Sequence, residues 1–253
     1  MFFKARRRRK IASRPFPEAW LILLRRNVPL YARLPEADRE ELKRHILVFM
    51  AEKQFEACGG LRMTDQIRIT IAAHACILLL HRQTDYYPGL KTILVYPRAY
   101  VVANTHHVGG GIVLESEDVR LGESWHRGSV VLSWDDVRRT AADIRDGQNV
   151  VFHEFAHQLD SSGGRGDSTP VLRDRSSFSA WARALGEDYD NFKRDLMEDR
   201  VEVLNEYGAT APAEFFAVAT ESFFERPKDL QRRYPRLYDE LKRFYQQDPA
   251  TLD

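Results

Sequence analysis

The sequence has few cysteines, almost no net charge and no long apolar run, and each shortage excludes a class of protein. Its two cysteines, Cys58 and Cys76, are too few for a disulfide framework and do not form a Cys-x-x-Cys pair. They favour a reducing compartment, so we expect a cytoplasmic protein. The balance of 38 basic against 37 acidic residues argues against direct nucleic-acid binding driven by overall charge.

The longest apolar run, residues 71–80, is far shorter than the roughly 20 residues that a membrane-spanning helix needs. We therefore expect no membrane span. The first residues are basic, but prolines at 15 and 17 follow before any apolar run, which excludes an export signal. A block of five basic residues, 6–10, could contact anionic lipid or nucleic acid, but such blocks are usually solvated tails. The sequence predicts a disordered basic tail over 1–14 and a single domain over 15–253.

The pattern of apolar residues predicts an α+β protein. Three helices are expected within residues 17–80, each beginning at a proline or at a Thr/Asp cap. Short runs rich in Val, Ile and Tyr then predict strands of one small mixed sheet, in segments 91–103, 111–117 and 128–134. After Trp134 the helical pattern returns and continues to Tyr245. The order is therefore N-terminal helices, a small sheet and C-terminal helices.

The segment VVFHEFAHQLD, residues 150–160, places a glutamate and two histidines in a largely apolar helical stretch. An apolar stripe is expected along one face, made by Val151, Phe152, Phe155, Ala156 and Leu159. His153 and His157 lie one turn apart on another face, and Glu154 is about 100° round from His153. Because the polar residues are segregated from the stripe, packing alone does not account for them.

Two imidazoles one helical turn apart can bind a single zinc ion, which in a catalytic site has three protein ligands and one open position. The His-Glu-x-x-His pattern supplies two of these ligands. Glu154 points elsewhere and is suited to take a proton from the attacking water and deliver it to the leaving amine. Asp160, one turn after His157, either accepts the second N–H of a ligand histidine or is an ordinary acid at a helix end.

The third ligand is expected from the segment 206–227, which predicts a helix with Thr210 as its cap and Pro212 in its first turn. Glu214 and Glu221 lie seven residues apart on this helix and therefore point to the same side. Spacing alone does not choose between them.

Several segments together resemble the Mlc titration factor A family, cytosolic bacterial zinc metallopeptidases. The resemblance runs nearly end to end and includes HEFAHQLD, YGATAPAEFFAVATESFF, RPFPEAW, DYYPGLKTILVYP, LGESWHRG and FYQQDPA. It implies a zincin-like fold, because the metal domain of that family resembles the one in anthrax lethal factor. One departure is visible, since Ala211 stands where an asparagine is expected before the proline.

The resemblance also implies functional residues. It assigns the zinc ligands to His153, His157 and Glu214, so that Glu221 becomes the less favoured ligand. It assigns a catalytic part to Tyr207, whose phenol is suited to hydrogen-bond an oxyanion. It further implies aminopeptidase-like activity on small peptides and binding of a transcriptional repressor that controls sugar uptake.

Two alternatives to a zinc peptidase remain open at the level of the sequence. One is a regulatory protein that sequesters a transcription factor and uses the helix with the two histidines only as scaffold. Glu154 argues against it, because a purely structural zinc site has four protein ligands and needs no general base. The other is hydrolysis of an amide that is not a peptide. For the peptidase, residues 128–134 are expected to form the strand that pairs with the substrate. His106, His107 and His126 are expected to be loop and strand-edge residues.

Overall fold

The computed structural model describes residues 2–98, 100–108, 112–120, 122–125, 128–161, 175–198, 200 and 203–252. This part of the chain is mostly helical with a small amount of sheet, which confirms the α+β prediction. The helices are α1 Phe2–Ala12, α2 Glu18–Asn27, α3 Pro29–Arg33, α4 Glu36–Glu52, α5 Asp65–Ile77, α6 Trp134–Ala142, α7 Val150–Ser161, α8 Arg175–Met197, α9 Pro212–Glu225, α10 Pro227–Arg233 and α11 Pro235–Tyr245. The strands are β1 Gln54–Ala57, β2 Thr92–Tyr96, β3 Tyr100–Val108, β4 Ile112–Arg120, β5 Gly122–Trp125 and β6 Ser129–Ser133.

The main sheet has four strands in the order β1-β2-β6-β5. β2 is parallel to β1 on one side and to β6 on the other, whereas β5 is antiparallel to β6. The prediction of a small mixed sheet is therefore confirmed. Because β6 has a partner on both sides, it has no free edge, and the expectation that residues 128–134 pair with a substrate is wrong.

The expectation that all predicted strands belong to one sheet is also wrong. β3 and β4 form a separate two-stranded antiparallel sheet, in register from Tyr100 opposite Arg120 to Val108 opposite Ile112. Segment 91–103 is therefore divided between β2 in one sheet and β3 in the other. Pro97 lies between them, and a proline cannot donate a hydrogen bond to continue the ladder of β2.

The basic N-terminal segment is helical, so the predicted disordered tail over 1–14 is corrected by α1. Arg8 donates two hydrogen bonds to Glu52 of α4, at 2.7 and 2.8 Å, and a third to Asp85 at 2.6 Å. Ile11 is 6% exposed and belongs to the core. The composition of the segment alone contained no sign of these acidic partners, which lie more than 40 residues away in sequence.

α7 packs against α5, α6, α9 and the main sheet, and its apolar stripe is buried as predicted. All five stripe residues are at most 8% exposed. The ring of Phe155 packs between those of Phe49 and Tyr87, with centroids 5.8 and 4.9 Å away. Phe152 contacts Phe224 of α9 at 5.0 Å. This packing fixes α7 on its apolar side, so the histidines of its other face have a defined position.

His74 of α5 lies behind α7 and is fully buried. Its Nδ1 bonds to the carbonyl oxygen of Thr70 at 2.8 Å, and its ring packs edge-on against Phe152 at 5.4 Å. Burial lowers the pKa of His74 to about 4, although the bond to Thr70 acts in the opposite direction. The imidazole is therefore neutral in the folded protein near neutral pH.

We expect acid to destabilise the fold through His74. The unfolded chain has the ordinary histidine pKa of 6.5, so it binds a proton before the folded state does. The contribution of the neutral, buried imidazole to the free energy of unfolding is complete above pH 6.5. It is lost as the pH falls toward the pKa of about 4 that His74 has in the folded protein. Between about pH 7.5 and 5, the free energy of unfolding should fall by about 2 kcal/mol more in the wild type than in His74→Gln, measured by urea denaturation. Equal losses in the two proteins would contradict this prediction.

Candidate metal centre

The centre is built where α7 and α9 pack against each other. Asn149 caps α7, because its side-chain oxygen accepts a hydrogen bond from the backbone N–H of Phe152 at 3.1 Å. α9 begins at Pro212, as predicted, but its N-cap is Ala211, which provides no side-chain bond. The expected cap Thr210 instead donates its hydroxyl proton to the carbonyl of Tyr207, at 2.7 Å. This bond closes the C-terminal end of the short 3-10 helix that precedes α9, Glu206–Ala209.

His153, His157 and Glu214 converge on one point between the two helices. The Nε2 atom of His153 is 2.9 Å from Oε2 of Glu214 and 3.3 Å from Nε2 of His157. The Nε2 atom of His157 is 3.3 Å from the same carboxylate oxygen. In the part of the chain that the structure describes, this is the only group of three such side chains with atoms close enough to share a metal ion.

The donor set fits a divalent metal such as zinc. Ligand atoms bonded at roughly 2.0 to 2.1 Å in a tetrahedral arrangement lie about 3.3 Å from one another, by simple geometry from those bond lengths. Two of the three separations here are 3.3 Å, and the third is 2.9 Å. Two imidazoles and one carboxylate also form the ligand set typical of catalytic zinc, with a position left for water.

Glu221 lies on the other side of the same imidazole. Its Oε1 is 2.8 Å from Nδ1 of His153, and its second oxygen accepts the backbone N–H of Asn149. Glu214 faces Nε2 and Glu221 faces Nδ1, so the two carboxylates that the sequence left as alternatives have different surroundings. A carboxylate on Nδ1 keeps the ring oriented with Nε2 toward the centre, which is a common arrangement around metal-binding histidines.

Asn149 and Glu225 extend this buried network, and sequence reasoning missed both. The side-chain amide of Asn149 donates to Glu225 at 2.9 Å, and Glu225 is only 4% exposed. Burial raises the pKa of Glu225 to about 9, so its carboxyl group is protonated at neutral pH. The signal for this network was the presence of three glutamates, at 214, 221 and 225, in a helix otherwise rich in Phe and Ala.

Hydrogen bonds between the imidazoles and the carboxylates shift the pKa values of His153 and Glu214 toward their charged forms. Burial lowers the pKa of His153, but its bonds to Glu214 and Glu221 outweigh burial and raise it well above 6.5. Burial raises the pKa of Glu214, and here too the opposing effect is larger, since hydrogen bonds to His153 and His157 lower it to about 2. Glu214 is therefore ionised at any pH near neutral, as a metal-binding carboxylate must be.

The two predicted catalytic residues lie beside the cluster. Glu154 follows His153 in α7 and is 4% exposed. The ring of Tyr207 lies over that of His153, with centroids 6.0 Å apart, and is 53% exposed. Asn205 fixes the backbone at this point by accepting the N–H of Tyr207 at 2.9 Å. The centre therefore has a buried acid on the helix and an accessible phenol at its open side.

The chain matches the model of a family described as glucose-regulated metallo-peptidase M90, over residues 2–246. The protein belongs to this family. A relative from Synechocystis, described as uncharacterized, is 39% identical over 96% of this chain and 89% of its own length. Proteins named Mlc titration factor A from Yersinia pestis and Yersinia pseudotuberculosis are 32% identical over 89% of this chain and 83% of their own length. The resemblance expected from the sequence motifs is thereby confirmed.

Membership in the M90 family implies a bound metal, and the cluster of His153, His157 and Glu214 is where the described residues could hold one. His106 and His107 lie in β3, and His126 lies outside the described residues. Asp160, for which the sequence suggested a bond to a ligand histidine, is not the partner of Nδ1 of His153, because Glu221 occupies that place. No helix within the described ranges is long and apolar enough to cross a bilayer.

Proposed function

We propose that the protein is a zinc-dependent peptidase with a zincin-like catalytic domain, in which His153, His157 and Glu214 hold the metal. The observation that carries this proposal is the convergence of two imidazole nitrogens and one carboxylate oxygen at 2.9 to 3.3 Å, beside a buried glutamate. When bound, zinc supplies a Lewis acid that polarises the scissile carbonyl and acidifies water. Everything else is done by the chain's own side chains.

Glu154 acts as the general base in this proposal, taking the proton from the attacking water and passing it to the leaving amine. Its burial keeps the carboxylate away from bulk water, which strengthens its interaction with the reacting groups. Tyr207 donates its phenolic proton in a hydrogen bond to the oxyanion of the tetrahedral intermediate. Glu221 is a positioning residue, since it touches His153 and not the reacting atoms.

The substrate is proposed to be a peptide. β5 is an outer strand of the described sheet and packs against α7, so it replaces β6 as the strand on which an extended substrate can lie. Aminopeptidase-like preference rests on the resemblance to the Mlc titration factor A family. A cytoplasmic location is part of the same proposal and rests on the scarcity of cysteine.

The proposal is tested with purified protein and pairs of short peptides that differ only in N-terminal acetylation. Elemental analysis should find about one zinc per chain, because the described residues offer one cluster that can hold it. Mass spectrometry should show release of the first residue from the free peptides, and acetylation should slow it by about tenfold or more, as expected when a buried or paired contact to the amine is lost. Zinc-loaded protein that cleaves no peptide would contradict the proposal, and equal cleavage of both peptides would contradict only the aminopeptidase preference.

A second candidate function is binding of a transcriptional repressor, favoured by the name of the Yersinia relatives. Binding requires no general base, so this function would not depend on the carboxylate of Glu154. A Glu154→Gln variant that still removes a purified Mlc-type repressor from its operator, in a mobility-shift assay, would support it. Failure of the wild-type protein to displace the repressor would exclude it.

A further inference from the structure

Within the described residues, the contacts that fix α1 to the rest of the protein lie on one face of the helix. Lys4 pairs with Asp85 at 2.8 Å, Arg8 pairs with Glu52 and lies 4.6 Å from the ring centroid of Tyr86, and Ile11 is buried in the core. The three anchors of α1 are at positions i, i+4 and i+7, which form a single stripe on a helix. The opposite face of α1 is therefore held in a defined orientation, directed away from the fold.

That opposite face is cationic and carries an exposed aromatic ring. At 100° per residue, Phe3, Arg6, Arg9 and Lys10 fall within the half of the helix that lies across from the anchors. Phe3 is 88% exposed, and the three basic side chains are also exposed. Among the residues that the structure describes, none of these three basic side chains has an acidic partner. We name Phe3, Arg6, Arg9 and Lys10 the outer face of α1.

The positive charge of α1 is larger than the net charge of the whole chain. α1 contains six basic residues and no acidic one, whereas the whole chain has a formal net charge of only +1. Like charges spaced three and four residues apart on a helix repel one another and cost stability. Lys4 and Arg8 are paired with acidic residues, whereas no acidic residue in the described ranges pairs with Arg6, Arg9 or Lys10.

We infer that the outer face of α1 binds an anionic lipid surface. Each basic residue near a membrane of acidic lipids strengthens binding by about fivefold, and an apolar side chain that enters the interface adds a second, non-electrostatic contribution. Phe3 favours a membrane over nucleic acid, because a phosphate backbone offers a ring of this kind no apolar phase. Since α1 is already folded and anchored, binding does not require the segment to be ordered first.

The inference is tested by sedimenting full-length protein with vesicles of phosphatidylcholine alone or with about one third phosphatidylglycerol. We expect binding only to the anionic vesicles and its loss in about 0.5 M salt, because exposed charges are screened. The variant Arg6→Glu/Arg9→Glu/Lys10→Glu should bind about a hundredfold more weakly or worse. Phe3→Ser should weaken binding by about tenfold without changing its salt dependence.

A matched control makes the same change of charge elsewhere. Arg25, Arg26 and Arg62 are exposed and, like the outer face, have no acidic partner among the described residues, so Arg25→Glu/Arg26→Glu/Arg62→Glu alters the net charge equally. This variant should bind anionic vesicles like the wild type. The inference is overturned if the control loses binding as well, if the wild type binds no vesicle, or if it binds a labelled DNA duplex through the same face in preference to lipid. Peptide hydrolysis and zinc content should be unchanged in all variants, so this result is independent of the proposed activity.

Discussion

Glu154→Gln is expected to reduce the rate of peptide hydrolysis by about a hundredfold or more while leaving the metal and the fold in place. General acid–base catalysis by one positioned side chain typically contributes this much. The amide has the size of the carboxylate but cannot accept the proton of the attacking water. Glu154 does not belong to the cluster of His153, His157 and Glu214, so zinc content should stay at the wild-type value. The measurements are steady-state hydrolysis and elemental analysis on the same sample.

Glu225→Gln is the matched control for this experiment. It makes the same chemical change in another glutamate that is 4% exposed and belongs to the buried network behind the centre. Because the pKa of Glu225 is raised to about 9, its carboxyl group is already neutral at pH 7, and replacement by an amide removes no charge. We expect hydrolysis within about threefold of the wild type, the usual spread of context-dependent effects for an uncharged replacement. Near-normal turnover by Glu154→Gln would show that hydrolysis does not use this acid and would promote the binding function.

The second large effect concerns the two glutamates of α9 that face opposite sides of His153. Glu214→Gln should weaken zinc binding by more than about a hundredfold, because it removes a charged oxygen that faces both Nε2 atoms, at 2.9 and 3.3 Å. Glu221→Gln should weaken it by only about tenfold, since its oxygen contacts Nδ1 of His153 and an amide oxygen can still accept that proton. Competition with a chromogenic chelator measures both affinities on the same scale.

The two variants share a helix and a chemical change, so they control for each other. Differential scanning of each protein without metal would show whether Glu221→Gln also loosens the start of α7 through its bond to Asn149. The reverse order of affinities, with Glu221→Gln emptied and Glu214→Gln loaded, would refute the ligand assignment. The role proposed for Tyr207 would then also need revision, because the resemblance placed it through the same segment of sequence.

The local features of the centre were predictable from the sequence. The apolar stripe of α7 follows from helical periodicity, and that periodicity also places His153 and His157 on one face. Pro212 at the start of α9 is a similarly local signal. These predictions succeeded because the spacing of residues along a helix determines which of them share a side, whatever the helix packs against.

The partners across elements were not predictable in this way. Spacing placed Glu214 and Glu221 on one side of α9, but only the crossing of α9 over α7 decides that the first meets Nε2 of His153 and the second Nδ1. A basic block is typical of a solvated tail, and its acidic partners, Glu52 and Asp85, are too distant in sequence for that pattern to reveal them. The pattern of apolar residues determined the α+β class, and helical spacing determined which residues of α7 share a face. Which strand of the sheet has a free edge, which carboxylate faces which nitrogen and whether α1 is folded depend on contacts between distant segments, and only the tertiary structure decided them.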